Sequence, residues 1–245
     1  VDGLGTDAYH ASSERGNMNY NQNPGWSKIG DVWTALYGII EDANLNVQGI
    51  RNSSLLTAGG SDQKSMERYL GESLTLRAMI YFDLVKFFGD VPFKTEPTGS
   101  DLSNADLPKT DRDDRMDALT ADLEEAVELL PWADDVTGYT TEHVTKGYVH
   151  GLIAQIALTR AGYAIRESAK SGYETGSYSD ATYPTQRPDA ATRKSLYEKA
   201  LSHLSAIITS GKHSLNPSFE NQWDLVNQLT LDQSYHENLF EIPLG

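Results

Sequence analysis

The 245-residue chain contains no cysteine, which excludes disulfide bonds, thiolate metal ligands and cysteine nucleophiles but does not locate the protein. It also has no apolar run approaching the roughly 18 residues that a membrane-spanning helix needs. The first residues, Val1 to Gly5, lack a basic region followed by an apolar one, so no signal peptide is predicted within the sequence.

Positive charge is scarce as well. The chain has 20 Lys and Arg residues and 35 Asp and Glu residues, which gives a formal net charge of −15. Binding to nucleic acid requires a clustered positive surface, and adhesion to anionic lipid requires basic segments. The balance therefore argues against both kinds of partner.

Motifs for metal binding or catalysis are missing too. The six histidines show no ligand spacing, and the acidic cluster Asp111 to Asp117 lacks the glycine and terminal glutamate of a calcium loop. Negative charge at the start of a helix explains that cluster without an ion. The carboxylate pairs Glu41-Asp42 and Glu124-Glu125 point about 100° apart on a helix, which favours solvated faces over a catalytic pair. No cofactor and no metal are predicted.

Apolar residues recur at steps of three and four, which predicts helices. The predicted segments are residues 27–51, 62–88, 111–130, 146–168 and a last long helix ended by Gly211. Paired helices with small residues at close contacts favour tetratricopeptide-like packing, but no 34-residue period is present. The prediction is a mainly all-α fold of irregular, tetratricopeptide-like antiparallel helix pairs, forming one domain over residues 1–245.

Two long polar segments interrupt the helical pattern. Residues 1–25 are rich in Gly, Asn and Ser, and residues 170–192 have little apolar content, so both are predicted to be loops. Tyrosine outnumbers phenylalanine 13 to 6, which suits aromatic rings at a wet surface. Sugar rings stack on such aromatics while their hydroxyls bond to polar side chains. The candidate ligand-binding residues are Tyr20, Asn21, Asn23, Trp26, Tyr173, Tyr178 and Tyr183.

The most specific part of the sequence is LRAMIYFDLVKFFGDVPF, residues 76–93. It places Arg77 on an otherwise apolar helical stripe, where a cation needs a carboxylate or carbonyl partner, so a structural ion pair is expected. Gly89 can take a positive φ that closes the helix, and Pro92 prevents the helix from resuming. This run resembles the signature helix of the SusD/RagB family.

Further blocks resemble the family in the expected order, from about Trp26 to the last residue. One is the early helix with Trp33, Tyr37 and the pair Ala43-Asn44, for which core packing is expected of both aromatics. Another is Glu237 to Ile242, which resembles a family strand.

The resemblance implies a non-catalytic lipoprotein on the bacterial outer surface that binds oligosaccharide and presents it to a TonB-dependent, SusC-like transporter. The attachment to the membrane would be a lipid anchor outside this chain. Relative to the family pattern, the sequence reads as a fragment without the lipidated N-terminus and much of the C-terminal portion. The identity of the glycan is not predicted.

Two other functions remain open at this point. A helical array could be a protein–protein interaction module without glycan binding. An α-helical glycoside hydrolase is a third possibility, although no acid/base pair is evident.

Overall fold

A computed structural model of the chain describes Gly25 and residues 27–242. Six α-helices dominate this part: α1 (Ser27–Arg51), α2 (Gly60–Phe88), α3 (Arg112–Leu129), α4 (Lys146–Ala161), α5 (Ala190–Ser210) and α6 (Phe219–Asn227). A short 3₁₀ helix, Ser54–Thr57, lies between α1 and α2. The mainly helical fold is therefore confirmed, and α6 is an element that the sequence pattern did not reveal.

Each of the first four helices packs against the next one in the chain, so α1 to α5 form a continuous series of neighbours. The core is continuous from α1 through α4, and it is filled by the apolar stripes that the periodicity predicts. On α2 the stripe Leu70, Leu74, Arg77, Tyr81 and Val85 is buried throughout. A smaller cluster of Ala154, Ala157 and Ala200 joins α4 to α5, where small side chains allow close contact.

Local signals fix the ends of the helices. Gly89, at φ +77°, ends α2 and donates its N–H to the Val85 carbonyl at 3.0 Å. The Asp111 carboxylate caps α3 by accepting from the Asp113 N–H at 2.8 Å, and Asp189 caps α5 in the same way through Thr192 at 2.9 Å. Gly211 ends α5 in the left-handed conformation, as expected.

Two small antiparallel sheets connect the helices. Strand β1 (Val91–Pro92) pairs with β2 (Lys109–Thr110), with Val91 opposite Thr110. Strands β3 (Ala164–Ile165), β4 (Glu174–Thr175) and β5 (Thr185–Arg187) form a sheet in the order β3-β5-β4. The first sheet turns the chain directly after the signature helix.

Three predicted boundaries are corrected. Helix α4 ends at Ala161 and not near Ser168, because the chain leaves the helix at Gly162 and pairs as β3 with β5. Residues 170–192 are not one loop, since they contain β4, β5 and the start of α5. Residues 237–242 form no strand; the Glu241 N–H instead donates to the Thr141 carbonyl at 2.8 Å.

Candidate functional site

A cleft with a volume of about 510 Å³ opens between α1 and the chain that follows β1. One wall is the face of α1 that carries Trp33, Tyr37 and Glu41, and the other is the segment from Pro92 to Leu107. Its lining combines aromatic rings with amide, hydroxyl and charged groups: Trp33, Tyr37, Gly38, Glu41, Pro92, Phe93, Lys94, Thr98, Asn104, Ala105, Asp106 and Leu107. This combination is typical of a ligand site.

The wall after β1 is held by two tyrosine hydroxyls. Tyr37 of α1 donates to the Pro92 carbonyl at 2.7 Å. Tyr81 of α2 donates to the Lys94 carbonyl at 2.9 Å and accepts from the Lys94 N–H at 3.0 Å. Burial raises the pKa of Tyr81 to about 12, so its hydroxyl stays protonated and keeps both bonds at neutral pH.

Asn44 and Arg77 complete the attachment of the wall. The Asn44 amide donates to the carbonyls of Lys94 at 3.3 Å and Glu96 at 3.2 Å. Arg77 donates to the Asn44 side-chain oxygen at 3.0 Å and to the Thr95 carbonyl at 2.9 Å. The backbone groups of the wall therefore form their hydrogen bonds with polar side chains of the helices. These side chains take the place of a neighbouring β-strand.

Arg77 is itself only 3% exposed, and its guanidinium pairs with the Asp122 carboxylate at 2.6 Å. The structural ion pair expected from the sequence is confirmed. Since Arg77, Asn44, Tyr37 and Tyr81 all bind the same short segment, the most specific sequence motifs of the chain are the ones that build the cleft wall.

An ion pair crosses the cleft. The Lys94 ammonium lies 2.8 Å from the Glu41 carboxylate and also contacts the Thr98 hydroxyl. Glu41 accepts from the Thr98 N–H at 2.7 Å and from its hydroxyl at 3.0 Å. Burial acts to raise the pKa of Glu41, but the bonds from Lys94 and Thr98 outweigh it and hold this pKa below its usual value. Glu41 is thus an ionised acceptor, unsuited to act as a general acid.

The aromatic side of the cleft is rigid because its rings contact one another. Trp33 lies edge-on to Phe88 with ring centroids 5.0 Å apart, and it lies 4.8 Å from Tyr37. Tyr81 and Phe93 are 4.5 Å apart behind them. Trp33 remains half-buried, so the packing that fixes its ring still leaves part of the ring accessible.

The rim of the cleft is a turn closed by Asn104. Its amide donates to the Pro97 carbonyl at 2.8 Å, and its side-chain oxygen accepts from the Gly99 N–H at 2.8 Å. Beside this turn the cleft contains the exposed Asp106.

A second, smaller cleft of about 360 Å³ lies next along α1, on the other side of the segment Thr95 to Pro97. It is lined mainly by polar residues, which include Gln48, Arg51, Asn52, Arg77, Glu96 and Asp122. Helix α1 and the segment that follows β1 therefore line both clefts.

Comparison with known proteins identifies this scaffold. A SusD-like family model, described as "starch-binding associating with outer membrane", matches residues 4–158. The chain belongs to the SusD-like family. The expected resemblance is thereby confirmed.

Individual SusD-like proteins agree with this assignment. SusD-like protein P2 of Formosa agariphila is 27% identical over 146 residues, which cover 59% of this chain and 27% of that protein. The crystal structure of a SusD homologue from Bacteroides thetaiotaomicron matches with a TM-score of 0.71 and 25% identity, covering 91% of this chain and 37% of the other. A SusD-like carbohydrate-binding protein of Bacteroides fragilis matches with a TM-score of 0.64 and 18% identity, covering 91% and 34%.

These values have two consequences. The structural matches confirm that the helices form the irregular, tetratricopeptide-like array of the SusD-like fold. The chain spans about a quarter to two fifths of the length of these relatives.

Of the residues predicted to bind ligand, Tyr20, Asn21, Asn23 and Trp26 fall outside the described residues. Tyr173, Tyr178 and Tyr183 are described, and they do not line the cleft. Tyr178 is fully exposed and Tyr183 is 57% exposed, on the connections around β4 and β5.

Tyr173 is held by contacts with other side chains of the protein. Its hydroxyl donates to the Asp113 carboxylate at 2.7 Å, and its ring lies 5.2 Å below the Arg166 guanidinium and 4.6 Å below the Lys170 ammonium. The same contacts correct the interpretation of the acidic cluster. Asp113 is completely buried among cations, so it does more than place charge at the start of a helix.

Two of the histidines pack against each other between helices. His143 precedes α4, whereas His150 lies within it. His150 packs against His203 of α5, with 2.8 Å between their Nδ1 atoms, and its ring stacks on Trp132. Within the described part of the chain no three His, Asp or Glu side chains form a metal-binding group, and no helix there is long and apolar enough to cross a membrane.

Four residues of the cleft were missed by sequence reasoning: Glu41, Lys94, Thr98 and Asn104. The sequence pattern predicts a solvated face for Glu41, and it assigns no role to Lys94, Thr98 or Asn104. The available signal was the regular spacing of Tyr37, Glu41 and Asn44 along one face of α1.

Proposed function

We propose that this chain is a non-catalytic glycan-binding part of an outer-membrane protein, and that its ligand lies in the cleft beside Trp33. Membership of a family described as starch-binding supports the ligand class. A half-buried tryptophan held beside a rigid polar wall carries the proposal. Sugar rings present apolar faces to such an aromatic ring and hydroxyls to Lys94, Thr98 and Asn104.

Binding without bond cleavage fits the carboxylates of the cleft. Hydrolysis of a glycosidic bond requires one carboxyl group that stays protonated and a second one across the bond. Glu41 is ionised and bound by Lys94 and Thr98, and Asp106, the other carboxylate among the described lining residues, is exposed. Neither meets the requirement for a general acid.

In the longer protein, we propose, the bound oligosaccharide passes to a TonB-dependent, SusC-like transporter, and a lipid anchor outside this chain holds the protein at the cell surface. Both steps extend the family description of outer-membrane association. The candidate residues of the loops, Tyr20, Asn21, Asn23, Trp26, Tyr178 and Tyr183, remain proposed as additional sugar contacts. Tyr173 is the weakest of the original set, because its hydroxyl is already bound to Asp113.

The test is a titration of the purified chain with a panel of oligo- and polysaccharides of several linkage types. We expect at least one glycan to bind. Trp33→Ala should weaken that binding about tenfold, near the upper end of what an aromatic stacking contact contributes. Tyr197→Ala is the matched control, since Tyr197 is a half-exposed aromatic on α5 outside the cleft. No binding by any glycan, or equal loss in both variants, would contradict the proposal.

A protein-binding module is the second candidate, favoured by an exposed apolar stripe on α5. Its members recur at helical spacing: Tyr197, Leu201, Leu204 and Ile208. If this is the main function, Tyr197→Ala should abolish capture of a membrane protein from extracts while Trp33→Ala should not.

A further inference from the structure

The cations around the two clefts are already paired with carboxylates. Lys94 is the cation that lines the larger cleft, and its ammonium lies 2.8 Å from Glu41. In the smaller cleft, Arg77 pairs with Asp122 at 2.6 Å and Arg51 with Glu125 at 2.7 Å. Among the described lining residues, no Lys or Arg is left to meet an anionic ligand.

The described lining of the two clefts contains carboxylates that are not paired with a cation. Asp106 in the larger cleft and Glu96 in the smaller one form no ion pair with another described residue. The chain as a whole carries a formal charge of −15, which adds a long-range repulsion for anions. An anionic sugar would therefore lose hydration without gaining a charged partner.

We infer that Glu41 determines specificity: by holding the Lys94 ammonium, it makes the cleft select uncharged glycans and reject uronic acid and sulfated ones. This inference rests on the proposed glycan-binding function of the cleft. The Lys94 ammonium can still donate hydrogen bonds to sugar hydroxyls, while the Glu41 carboxylate balances its charge. The ligand class is a neutral oligosaccharide.

The geometry allows the charge of Glu41 to be removed without a change of shape. Glutamine in its place still presents an oxygen to the Thr98 N–H, which now lies 2.7 Å from the carboxylate. Lys94 would then be an uncompensated cation inside the cleft. Asp42→Asn is the matched control, because Asp42 is exposed on the same helix and its neutralisation changes the net charge equally.

The experiment compares a neutral glycan that the unaltered chain binds with its C6-oxidised form, in which hydroxymethyl groups have become carboxylates. We expect the neutral form to bind at least about tenfold more tightly at low salt, and the ratio to shrink as salt screens the repulsion. Glu41→Gln should reduce the ratio about tenfold by improving binding of the oxidised form, while Asp42→Asn should leave it within about twofold.

Several results separate the inference from the function on which it rests. If a neutral glycan binds and its oxidised form binds equally well, the inference is wrong and the proposed function stands. If Asp42→Asn changes the ratio as much as Glu41→Gln, the effect is one of net charge, and the assignment of Glu41 is wrong. If no glycan binds, both fail.

If Glu41→Gln does not fold, two other measurements still test the inference. One is the salt dependence of the binding ratio in the unaltered chain, and the other uses a second variant. Lys94→Met removes the cation, so it should not improve binding of the oxidised glycan. A gain in that variant, or a ratio in the unaltered chain that is insensitive to salt, would overturn the inference.

Discussion

At the scale of single residues, Arg77 links α1, α2, α3 and the cleft wall. Its guanidinium bonds to Asn44, the Thr95 carbonyl and Asp122. Arg77→Met should lower the free energy of unfolding by about 3 kcal/mol, because it leaves buried partners uncompensated. Urea denaturation measures this change. Arg51→Met is the control: its pair with Glu125 is exposed and should contribute less than about 1 kcal/mol. Equal losses in the two variants would contradict the account.

The histidines between α4 and α5 should make stability depend on pH. Burial, followed by the nearby His203 and Lys146, lowers the pKa of His150 to about 4, and burial also lowers the pKa of His203. The unfolded chain therefore binds more protons between about pH 6.5 and 4, so the free energy of unfolding falls as the pH falls through this window. We expect a loss on the order of 2 kcal/mol between pH 7 and pH 5.

Denaturation curves at the two pH values test this expectation. Replacement of both His150 and His203 by Gln should flatten the dependence. His143→Gln should not, because His143 is exposed. A stability that is the same at pH 7 and 5 in the unaltered chain would show that the pair is not the sensor.

At the scale of elements, the sheet β3-β5-β4 is held to α3 by one buried carboxylate. Asp113 lies 2.9 Å from Arg166, 3.0 Å from Lys170 and 2.7 Å from the Tyr173 hydroxyl. Burial acts to raise the pKa of Asp113, but the bonds from Tyr173 and Arg166 and the charge of Arg160 lower it overall. The carboxylate is thus ionised at neutral pH and fixes the segment that carries Tyr178 and Tyr183.

Asp113→Asn should therefore loosen this segment. We expect a loss of about 3 kcal/mol in the free energy of unfolding and faster hydrogen exchange at the backbone amides of residues 164–187. Asp114→Asn, an exposed neighbour on the same helix, should change neither quantity measurably. Unchanged exchange over residues 164–187 in Asp113→Asn would show that other contacts hold the sheet.

The elements that could be predicted from the sequence are those with long apolar periods. Helix α1 begins and ends where the pattern predicts, and α2 begins only two residues earlier than expected. The strands β3, β4 and β5 have two or three residues each, too few for an alternating pattern, and their pairing depends on residues far apart in the chain. Resemblance alone suggested a strand at residues 237–242, where the described chain provides no partner strand.

At the scale of the whole molecule, the cleft exists because distant segments meet. Glu41 and Thr98 are 57 positions apart, so no local pattern could reveal their contact. Trp33 and Tyr37 were predicted as core residues, and they do pack against the core, but the same rings also line the cleft. The sequence identified the scaffold through Arg77 and Tyr81, whereas the ligand-facing residues required the assembled structure.

The charge of the whole molecule also favours an uncharged ligand. A chain with a net charge of −15 and paired cations in its clefts is suited to an uncharged ligand that binds through ring stacking and hydroxyl contacts. Single contacts of this kind are weak, so retention of the ligand would depend on several contacts or on a partner.

The most direct test of the central claim is a titration of the isotope-labelled chain with its tightest-binding neutral oligosaccharide, followed by NMR. The account predicts that the largest shifts occur at the Trp33 indole, the Asn104 side-chain amide and the backbone amides of Lys94 and Thr98. Shifts confined to the segment around Tyr178 and Tyr183, or to α5, with these four signals unchanged, would contradict it.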